Sequence, residues 1–251
     1  MQNLAHSGEN MQTISITINQ QRDVSLIGYL QQVGGEFSVT RRPAMIVFPG
    51  GGYHYLSDRE ADPVALAYSR AGYQTFILRY TLRDKGGWPC PLQDYEDAMA
   101  LIRQHADEWA VDVNRISVVG FSAGGHLAAC AATIAKTKPA AAILIYPVIL
   151  KEIADLCQKD LPLPNQLVTP DTSPCFIATA SDDQTAVVDN ALMMSLALAQ
   201  NKVPFESHVY SFGDHGFSTG ENWLLLKPAC GRVHNWVDDS LQWLNEQLGD
   251  F

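Results

Sequence analysis

The sequence Gly-Phe-Ser-Ala-Gly at residues 120–124 has the spacing of a turn that exposes a nucleophilic serine. Between a strand and a helix, a G-x-S-x-G turn holds the serine backbone in a strained conformation and presents its hydroxyl oxygen. The apolar residues 116–119 precede this turn and an alanine-rich segment follows it. Because a serine hydroxyl is inert at neutral pH without a base, Ser122 predicts a histidine that reaches it in the folded chain.

Of the seven histidines, His215 fits the role of that base best. It lies in the glycine-flanked sequence Phe-Gly-Asp-His-Gly-Phe-Ser, just past the last predicted strand, where loops carry functional groups. His126 follows the serine on a predicted buried helix, and we expect it to be a packed, hydrogen-bonded residue. The others lie in the polar N-terminus, before the serine, inside a strand or on the last helix: His6, His54, His105, His208 and His234.

The acid that orients the histidine is expected between Ser122 and His215 along the chain, because a serine on such a turn is followed first by the acid and then by the histidine. Asp182 and Asp183 follow the predicted strand 175–180, and Asp189 stands later at a helix start, where the helix dipole favours an acid. Adjacent carboxylates rarely share one role. We therefore favour Asp183 as the acid, with Asp182 shaping the loop.

Three consecutive glycines follow the apolar residues 44–48 and need a physical reason, since each costs backbone entropy on folding. Attack by a serine on a carbonyl creates an oxyanion that pre-aimed N–H donors stabilise. Without side chains in the way, Gly51 and Gly52 can offer their main-chain N–H groups, and Ala123 adds a third at a helix N-terminus. A phosphate-binding loop is the competing interpretation, but neither GxGxxG nor GK[ST] is present.

Strands and helices alternate along the chain around these residues. Period-two patterns at 13–19 and 24–30 are typical of antiparallel strands. Continuous apolar runs predict buried parallel strands at 44–49, 74–80, 116–120, 141–147, 175–180 and 205–210. Amphipathic or alanine-rich segments predict helices at 62–71, 91–109, 123–135, 187–200 and 233–248. The proline-rich stretch 151–174 interrupts this alternation and predicts an excursion over the carboxyl edge of a doubly wound sheet.

Composition bounds the class of protein. A chain of 251 residues with 47% hydrophobic and 18% charged residues is typical of a globular protein, and we expect a single domain over 1–251, with residues 1–10 loosely ordered. A formal net charge of −10 argues against nucleic acid and anionic membranes as partners. Five scattered cysteines and no secretory signal predict a cytoplasmic protein with reduced thiols. A homodimer is left open.

Four segments together resemble a family of bacterial α/β-hydrolase esterases, the acetyl esterase or acetylxylan esterase-like (xylanase-annotated) enzymes related to the hormone-sensitive lipase group. They are residues 48–80, 118–129, 168–193 and 213–218. The resemblance implies an α/β-hydrolase fold: a mostly parallel eight-stranded sheet with helices on both faces and a minimal cap. It also implies the triad Ser122, Asp183 and His215, with oxyanion donors at Gly51, Gly52 and Ala123.

The chain departs from the wider lipase group in two ways. Pro49 stands where that group has the histidine of its His-Gly-Gly-Gly motif. A large N-terminal cap is missing, which disfavours long-chain lipid substrates. We therefore expect a serine carboxylesterase for short acyl esters, above all acetyl esters of a small alcohol such as a carbohydrate, with no metal or organic cofactor.

Candidate liners of a small acyl pocket are neighbours of the predicted motifs: Tyr53, His54, Pro147, Val148 and Phe217. Trp88 is expected to pack at the rim. Two alternatives stay open at this point. The same triad serves amides, as in an arylformamidase- or peptidase-like enzyme, and the scaffold also suits a catalytically inactive binding protein.

Overall fold

The computed structural model describes residues 11–251; the expectation for residues 1–10, including His6, lies outside them. One sheet of eight strands forms its centre. In chain order these are β1 (Gln12–Asn19), β2 (Val24–Leu30), β3 (Arg42–Phe48), β4 (Gln74–Arg79), β5 (Val111–Phe121), β6 (Ala142–Ile145), β7 (Cys175–Ala180) and β8 (Phe205–Tyr210).

The strands are arranged in the order β1-β2-β4-β3-β5-β6-β7-β8. Pairing is antiparallel between β1 and β2 and between β2 and β4, and it is parallel everywhere else. Phe48, the last residue of β3, pairs with Gly120 of β5. The loops that leave these two strands therefore start side by side at the carboxyl edge of the sheet, where ligands bind in open α/β sheets.

Within the described residues, six α-helices cover the sheet: α1 (Asp62–Arg70), α2 (Cys90–Gln104), α3 (Ala123–Ile134), α4 (Lys151–Cys157), α5 (Asp189–Gln200) and α6 (Asn235–Leu248). Buried residues of α2, α3 and α5 belong to one hydrophobic cluster with alternate strand residues, and those of α1 and α6 belong to a second. The two clusters lie on opposite faces because successive strand side chains alternate. The predicted fold class, a mostly parallel eight-stranded sheet with helices on both faces, is confirmed.

The boundaries of several elements differ from the sequence expectation. Helix α1 begins at Asp62 as predicted and ends one residue early, at Arg70; its N-cap is Ala61, without a side-chain cap bond. The carboxylate of Asp62 accepts a hydrogen bond from the hydroxyl of Tyr29. Helix α2 ends at Gln104, five residues before the predicted end. The excursion 151–174 contains only α4 and the short 3-10 turn Pro164–Gln166.

All five cysteines are free thiols, four of them buried. Among residues 11–251, no helix combines the length and apolar character needed to cross a bilayer.

A buried carboxylate ties the antiparallel edge of the sheet to α2. Asp94 is fully buried and accepts hydrogen bonds from the guanidinium of Arg22 at 2.6 Å and from the main-chain N–H of Thr81 at 2.7 Å. Arg22 also donates through Nε to the Thr81 hydroxyl at 3.0 Å. The turn between β1 and β2 is thereby fixed to the end of β4.

Replacing Asp94 by alanine should lower the free energy of unfolding by about 2–4 kcal/mol, because it leaves a cation and an N–H donor without an acceptor. Urea unfolding measures the loss. The control is Asp97→Ala on the same helix. Among residues 11–251 the carboxylate of Asp97 accepts only from the side chain of Gln93, so this substitution should cost less than about 0.5 kcal/mol. Equal effects of the two substitutions would contradict this account of the hydrogen-bonded carboxylate.

Candidate active site

The turn between β5 and α3 has the strained geometry that the glycine spacing predicts. Ser122 adopts φ 53° and ψ −115°, a conformation that costs a non-glycine residue free energy. A Cβ at Gly120 would overlap the carbonyl oxygen of Gly124, and one at Gly124 would overlap that of Phe48. Both glycines are therefore required by close backbone approach. The turn is also held by β6, since the N–H of Ser122 donates to the carbonyl of Ile145 at 3.0 Å.

The structure brings Ser122, His215 and Asp183 together in one chain of hydrogen bonds. The Nε2 atom of His215 lies 2.9 Å from the Oγ atom of Ser122, and its Nδ1 atom lies 2.7 Å from Oδ2 of Asp183. Three different strands, β5, β7 and β8, deliver the three residues to the same edge. With Nδ1–H donating to the carboxylate, Nε2 is left as the acceptor for the serine proton.

The two adjacent aspartates have different partners. Asp183 is 1% exposed, and its second oxygen, Oδ1, accepts from the N–H groups of Thr185 at 2.8 Å and Ala186 at 2.9 Å. Asp182 accepts instead from the N–H groups of Gly213 and Asp214, both at 2.9 Å. The carboxylate of Asp182 thus shapes the loop that carries His215, and only that of Asp183 contacts the imidazole.

Each of the three consecutive glycines has its own structural reason. A Cβ at Gly50 would lie 2.6 Å from Oε2 of Glu60 and 3.1 Å from Cβ of Ser122. Gly51 has φ 131°, and a Cβ there would overlap the carbonyl oxygen of Tyr55. Gly52 has φ 64°, and a Cβ there would make only ordinary contacts, at 3.4 Å from His54 and 4.0 Å from Cys157, so conformation alone favours glycine there.

The N–H groups of Gly51, Gly52 and Ala123 donate to no main-chain or side-chain acceptor in the described chain. Gly51 and Gly52 line a cleft next to the Ser122 hydroxyl. Ala123 begins α3, so its N–H belongs to the free donors at a helix N-terminus. The arrangement can receive a negatively charged oxygen.

The cleft has a volume of about 270 Å³ and is lined by both polar and apolar residues. The polar ones include Tyr55, Ser57 and Arg59, and the apolar ones include Val148, Ile153 and Cys157. Burial raises the pKa of Cys157 to about 11, so its thiol stays neutral at pH 7. A second, apolar groove of about 610 Å³ between α4 and α5 shares Ile153 and Thr185 with the cleft.

Of the five predicted pocket residues, Val148 lines the cleft and the other four do not: Tyr53, His54, Pro147 and Phe217. Tyr53 has φ 61°, and its ring is buried in the core. Phe217 is buried as well, with its ring edge-on to Tyr146 at a centroid distance of 4.6 Å. The correction has one cause: proximity in sequence to a motif does not fix the direction of a side chain.

The buried ring of Tyr53 instead contacts His126. Its hydroxyl lies 2.8 Å from Nδ1 of His126, whose Nε2 lies 2.9 Å from the carbonyl oxygen of Pro162. The Nε2–H therefore donates to Pro162, and Nδ1 accepts from Tyr53. Trp88 packs edge-on against the same imidazole at a centroid distance of 5.4 Å. His126, on α3, thus joins the glycine loop to the 151–174 excursion.

Sequence reasoning missed Glu60, which lines the cleft, and Tyr146, whose hydroxyl donates to Glu60. Glu60 is 4% exposed and accepts hydrogen bonds from the N–H of Gly50 and the hydroxyl of Tyr146. Burial raises the pKa of the Glu60 carboxyl, while the hydrogen bonds from Tyr146 and Gly50 oppose the rise. The sequence offered one signal, a glutamate two residues before the start of α1. Glutamates near helix starts are too common to indicate a site residue.

Solved structures and known sequences are similar to this chain over most of its length. MGS-M1, an α/β-hydrolase enzyme from a Medee basin deep-sea metagenome library, superimposes with a TM-score of 0.88 at 37% identity, covering 95% of this chain and 98% of that one. The chain belongs to the α/β-hydrolase family. The family described as BD-FAE matches residues 36–144 of this α/β-hydrolase.

Two further relatives carry names that bear on chemistry. An acetyl ester-xyloside bifunctional hydrolase from Caldicellulosiruptor lactoaceticus has a TM-score of 0.83 at 30% identity, covering 97% of this chain and 99% of that one. An acetylxylan esterase of Xylanibacter ruminicola is 30% identical over 77% of this chain and 45% of its own. The predicted resemblance to acetyl esterase and acetylxylan esterase-like proteins is confirmed. This α/β-hydrolase spans only 33% and 45% of the two curated relatives that it matches over most of its length.

Burial lowers the pKa of His126 to about 4, below the value of about 6.5 in an unfolded chain. As the pH falls from about 6.5 towards 4, the unfolded chain binds a proton that the folded protein does not, so stability is lost. Between pH 7 and pH 5 this histidine should account for a loss of about 2 kcal/mol in the free energy of unfolding.

Urea unfolding of the wild type and His126→Gln at both pH values isolates this contribution, since glutamine retains an acceptor and a donor but does not titrate. The variant should lose about 2 kcal/mol less than the wild type over this interval. Parallel pH dependence of the two proteins would show that His126 is not the responsible group.

Proposed function

We propose that this α/β-hydrolase is a serine carboxylesterase that hydrolyses short-chain acyl esters through an acyl-enzyme. The observation that carries the proposal is the continuous hydrogen-bonded chain from Asp183 through His215 to Ser122, beside three uncommitted main-chain donors. The relatives named esterases and acetyl ester hydrolases support the reaction class.

In the first step the Ser122 oxygen attacks the ester carbonyl carbon, and Nε2 of His215 takes the serine proton. The negative charge that develops on the carbonyl oxygen is received by the N–H groups of Gly51, Gly52 and Ala123. Asp183 holds the imidazole orientation and stabilises the positive charge that His215 acquires. The histidine then gives the proton to the departing alcohol, leaving the acyl group on Ser122.

In the second step a water molecule attacks the acyl-enzyme, again with His215 as the base, and releases the carboxylic acid. Ser122 recovers its proton from the histidine. Both steps use only water and groups of this chain. The buried carboxylate of Asp183 keeps its role throughout, because its second oxygen is fixed by the N–H groups of Thr185 and Ala186.

The shape of the cleft supports a small acyl group and a hydroxylated alcohol. Val148, Ile153 and Cys157 offer apolar contact for a short acyl chain, and the small cleft volume, about 270 Å³, limits its length. Tyr55, Ser57 and Arg59 add polar groups to the lining. Acetyl esters of a carbohydrate suit this mixed lining, and the names of the acetylxylan esterase and acetyl ester-xyloside hydrolase point the same way.

With p-nitrophenyl esters from C2 to C12, kcat/KM should be highest for acetyl or propionyl esters and should fall or level off beyond about C4. In a pocket that buried the whole chain, each added methylene would contribute about 0.8 kcal/mol. Ser122→Ala is the control and should lose all measurable turnover while remaining folded. A kcat/KM that climbs steadily to C12 would show instead that the groove between α4 and α5 receives the acyl chain.

The aspartate pair gives a matched test of the triad. In Asp183→Asn the amide oxygen still accepts from Thr185 and Ala186, so its NH₂ group faces Nδ1 of His215 and forces the wrong tautomer. The kcat should fall by roughly three to four orders of magnitude.

In Asp182→Asn the new amide oxygen still accepts from the loop N–H groups, and kcat should stay within about threefold of the wild type. Steady-state kinetics on p-nitrophenyl acetate compares the two. A larger loss in Asp182→Asn would reverse the assignment of the acid.

A further inference from the structure

A buried carboxylate links the oxyanion loop to the loop that carries His215. The two oxygens of Glu60 have separate partners: Oε2 accepts from the N–H of Gly50 at 2.8 Å, and Oε1 accepts from the hydroxyl of Tyr146 at 2.7 Å. Gly50 immediately precedes the proposed oxyanion donors Gly51 and Gly52. Since Glu60 is 4% exposed, both bonds are sheltered from water, and an unpaired donor there would be costly.

Tyr146 extends this link to the histidine. It follows β6 with φ 35° and is fully buried. Its ring lies 4.8 Å from the imidazole of His215, centroid to centroid. Its hydroxyl accepts from the N–H of Ser218 at 3.1 Å while donating to Glu60. One hydroxyl group is therefore bonded both to the chain just after the histidine and to the carboxylate that holds the N–H of Gly50.

The segment around Glu60 is itself fixed to the histidine loop. The hydroxyl of Ser218 donates to the carbonyl oxygen of Arg59 at 2.5 Å. The guanidinium of Arg59 donates to the carbonyl oxygens of Gly216 at 2.9 Å and Leu224 at 2.7 Å. These bonds restrict the backbone next to Glu60. The Glu60 carboxylate therefore has a fixed position relative to both the glycine loop and the histidine loop.

We propose that Glu60, acting with Tyr146, is a positioning residue that sets the distance between the oxyanion donors and the catalytic histidine. The inference rests on the esterase function proposed above. Both hydrogen bonds of Glu60 go to groups of the active site. Donors that stabilise a transition state must lie within a few tenths of an ångström of the developing charge, so loss of this link should lower kcat and leave ground-state binding almost unchanged.

Three variants test the link: Glu60→Gln, Tyr146→Phe and the double variant. Glutamine has the size of glutamate but carries an NH₂ group in place of one oxygen. When Gly50 donates to the amide oxygen, the hydroxyl of Tyr146 faces that NH₂ group and loses its acceptor. Phenylalanine keeps the ring on His215 and removes only the hydroxyl. Each single substitution should lower kcat on p-nitrophenyl acetate by about 10- to 100-fold with KM within about threefold. The double variant should be no slower than the slower single variant, because both break one link.

The matched control is Tyr68→Phe, which removes a buried hydroxyl hydrogen-bonded to Ser240 at 2.7 Å between α1 and α6. It should lower the melting temperature but leave kcat unchanged. Thermal unfolding of every variant is measured alongside, and Tyr146→Phe, which removes a single atom, carries the test if Glu60→Gln does not fold.

The outcomes separate this inference from the proposed function. A wild type that hydrolyses no ester and does not react with a fluorophosphonate probe overturns both. With an active wild type and an inactive Ser122→Ala, a kcat within threefold of the wild type in Glu60→Gln or Tyr146→Phe overturns the positioning role alone. The positioning role is also overturned if KM rises while kcat is unchanged. It is likewise overturned if the fold losses in kcat of the two single variants multiply in the double variant.

Discussion

Phe48 and Gly120 are partners in the parallel pairing of β3 with β5, and from each the chain runs on into a loop of the candidate active site. The contact is so close that the carbonyl oxygen of Phe48 occupies the space of a Cβ at Gly124. No side chain larger than hydrogen fits there. The register of two central strands thereby fixes the position of the Ser122 turn relative to the glycine loop, and the other parts of the site are arranged around that pair.

The remaining groups are held by buried carboxylates whose oxygens are hydrogen-bonded. Asp183 accepts from His215 and two main-chain N–H groups, and Glu60 accepts from Gly50 and Tyr146. A buried carboxylate is costly unless such donors surround it. When donors surround the carboxylate, moving any of them away also costs free energy. The hydrogen-bonded arrangement of the site is therefore favoured over alternatives. The strained backbone of Ser122 persists because both flanking elements are packed in the core.

Much of the fold could be predicted because β3, β4, β6 and β7 are buried on both faces and so appear as continuous apolar runs. β8 was predicted to be buried too, but its residues alternate between exposed and half-buried because it is the last strand of the sheet. β2, β7 and β8 have the predicted bounds. The serine turn could also be predicted, since its glycines are fixed by contacts within five residues and with one neighbouring strand. The proximity of Ser122, His215 and Asp183 followed from their places after strands of one sheet.

The rest depends on contacts that local sequence does not encode. Glu60 and Tyr146 are 86 positions apart, and nothing near either residue indicates that they meet. The pocket lining failed for a related reason: the positive φ of Tyr53 turns its ring towards His126 and away from the cleft. Side-chain direction in irregular loops is set by the packing of distant segments, which becomes available only with the folded structure.

The walls of the cleft come from two sources with different tolerance to change. Gly51, Gly52 and Ser122 belong to turns fixed by strand register, whereas Ile153 and Cys157 belong to the excursion between β6 and β7. Doubling the length of such a connection costs only about 0.6 kcal/mol in loop-closure entropy. Insertions there can enlarge, narrow or roof the substrate side without shifting any strand. The connection between β6 and β7 can therefore vary in length and sequence, whereas the turns at Gly51, Gly52 and Ser122 can hardly change. New substrate preferences can arise on this scaffold by changes in that single connection.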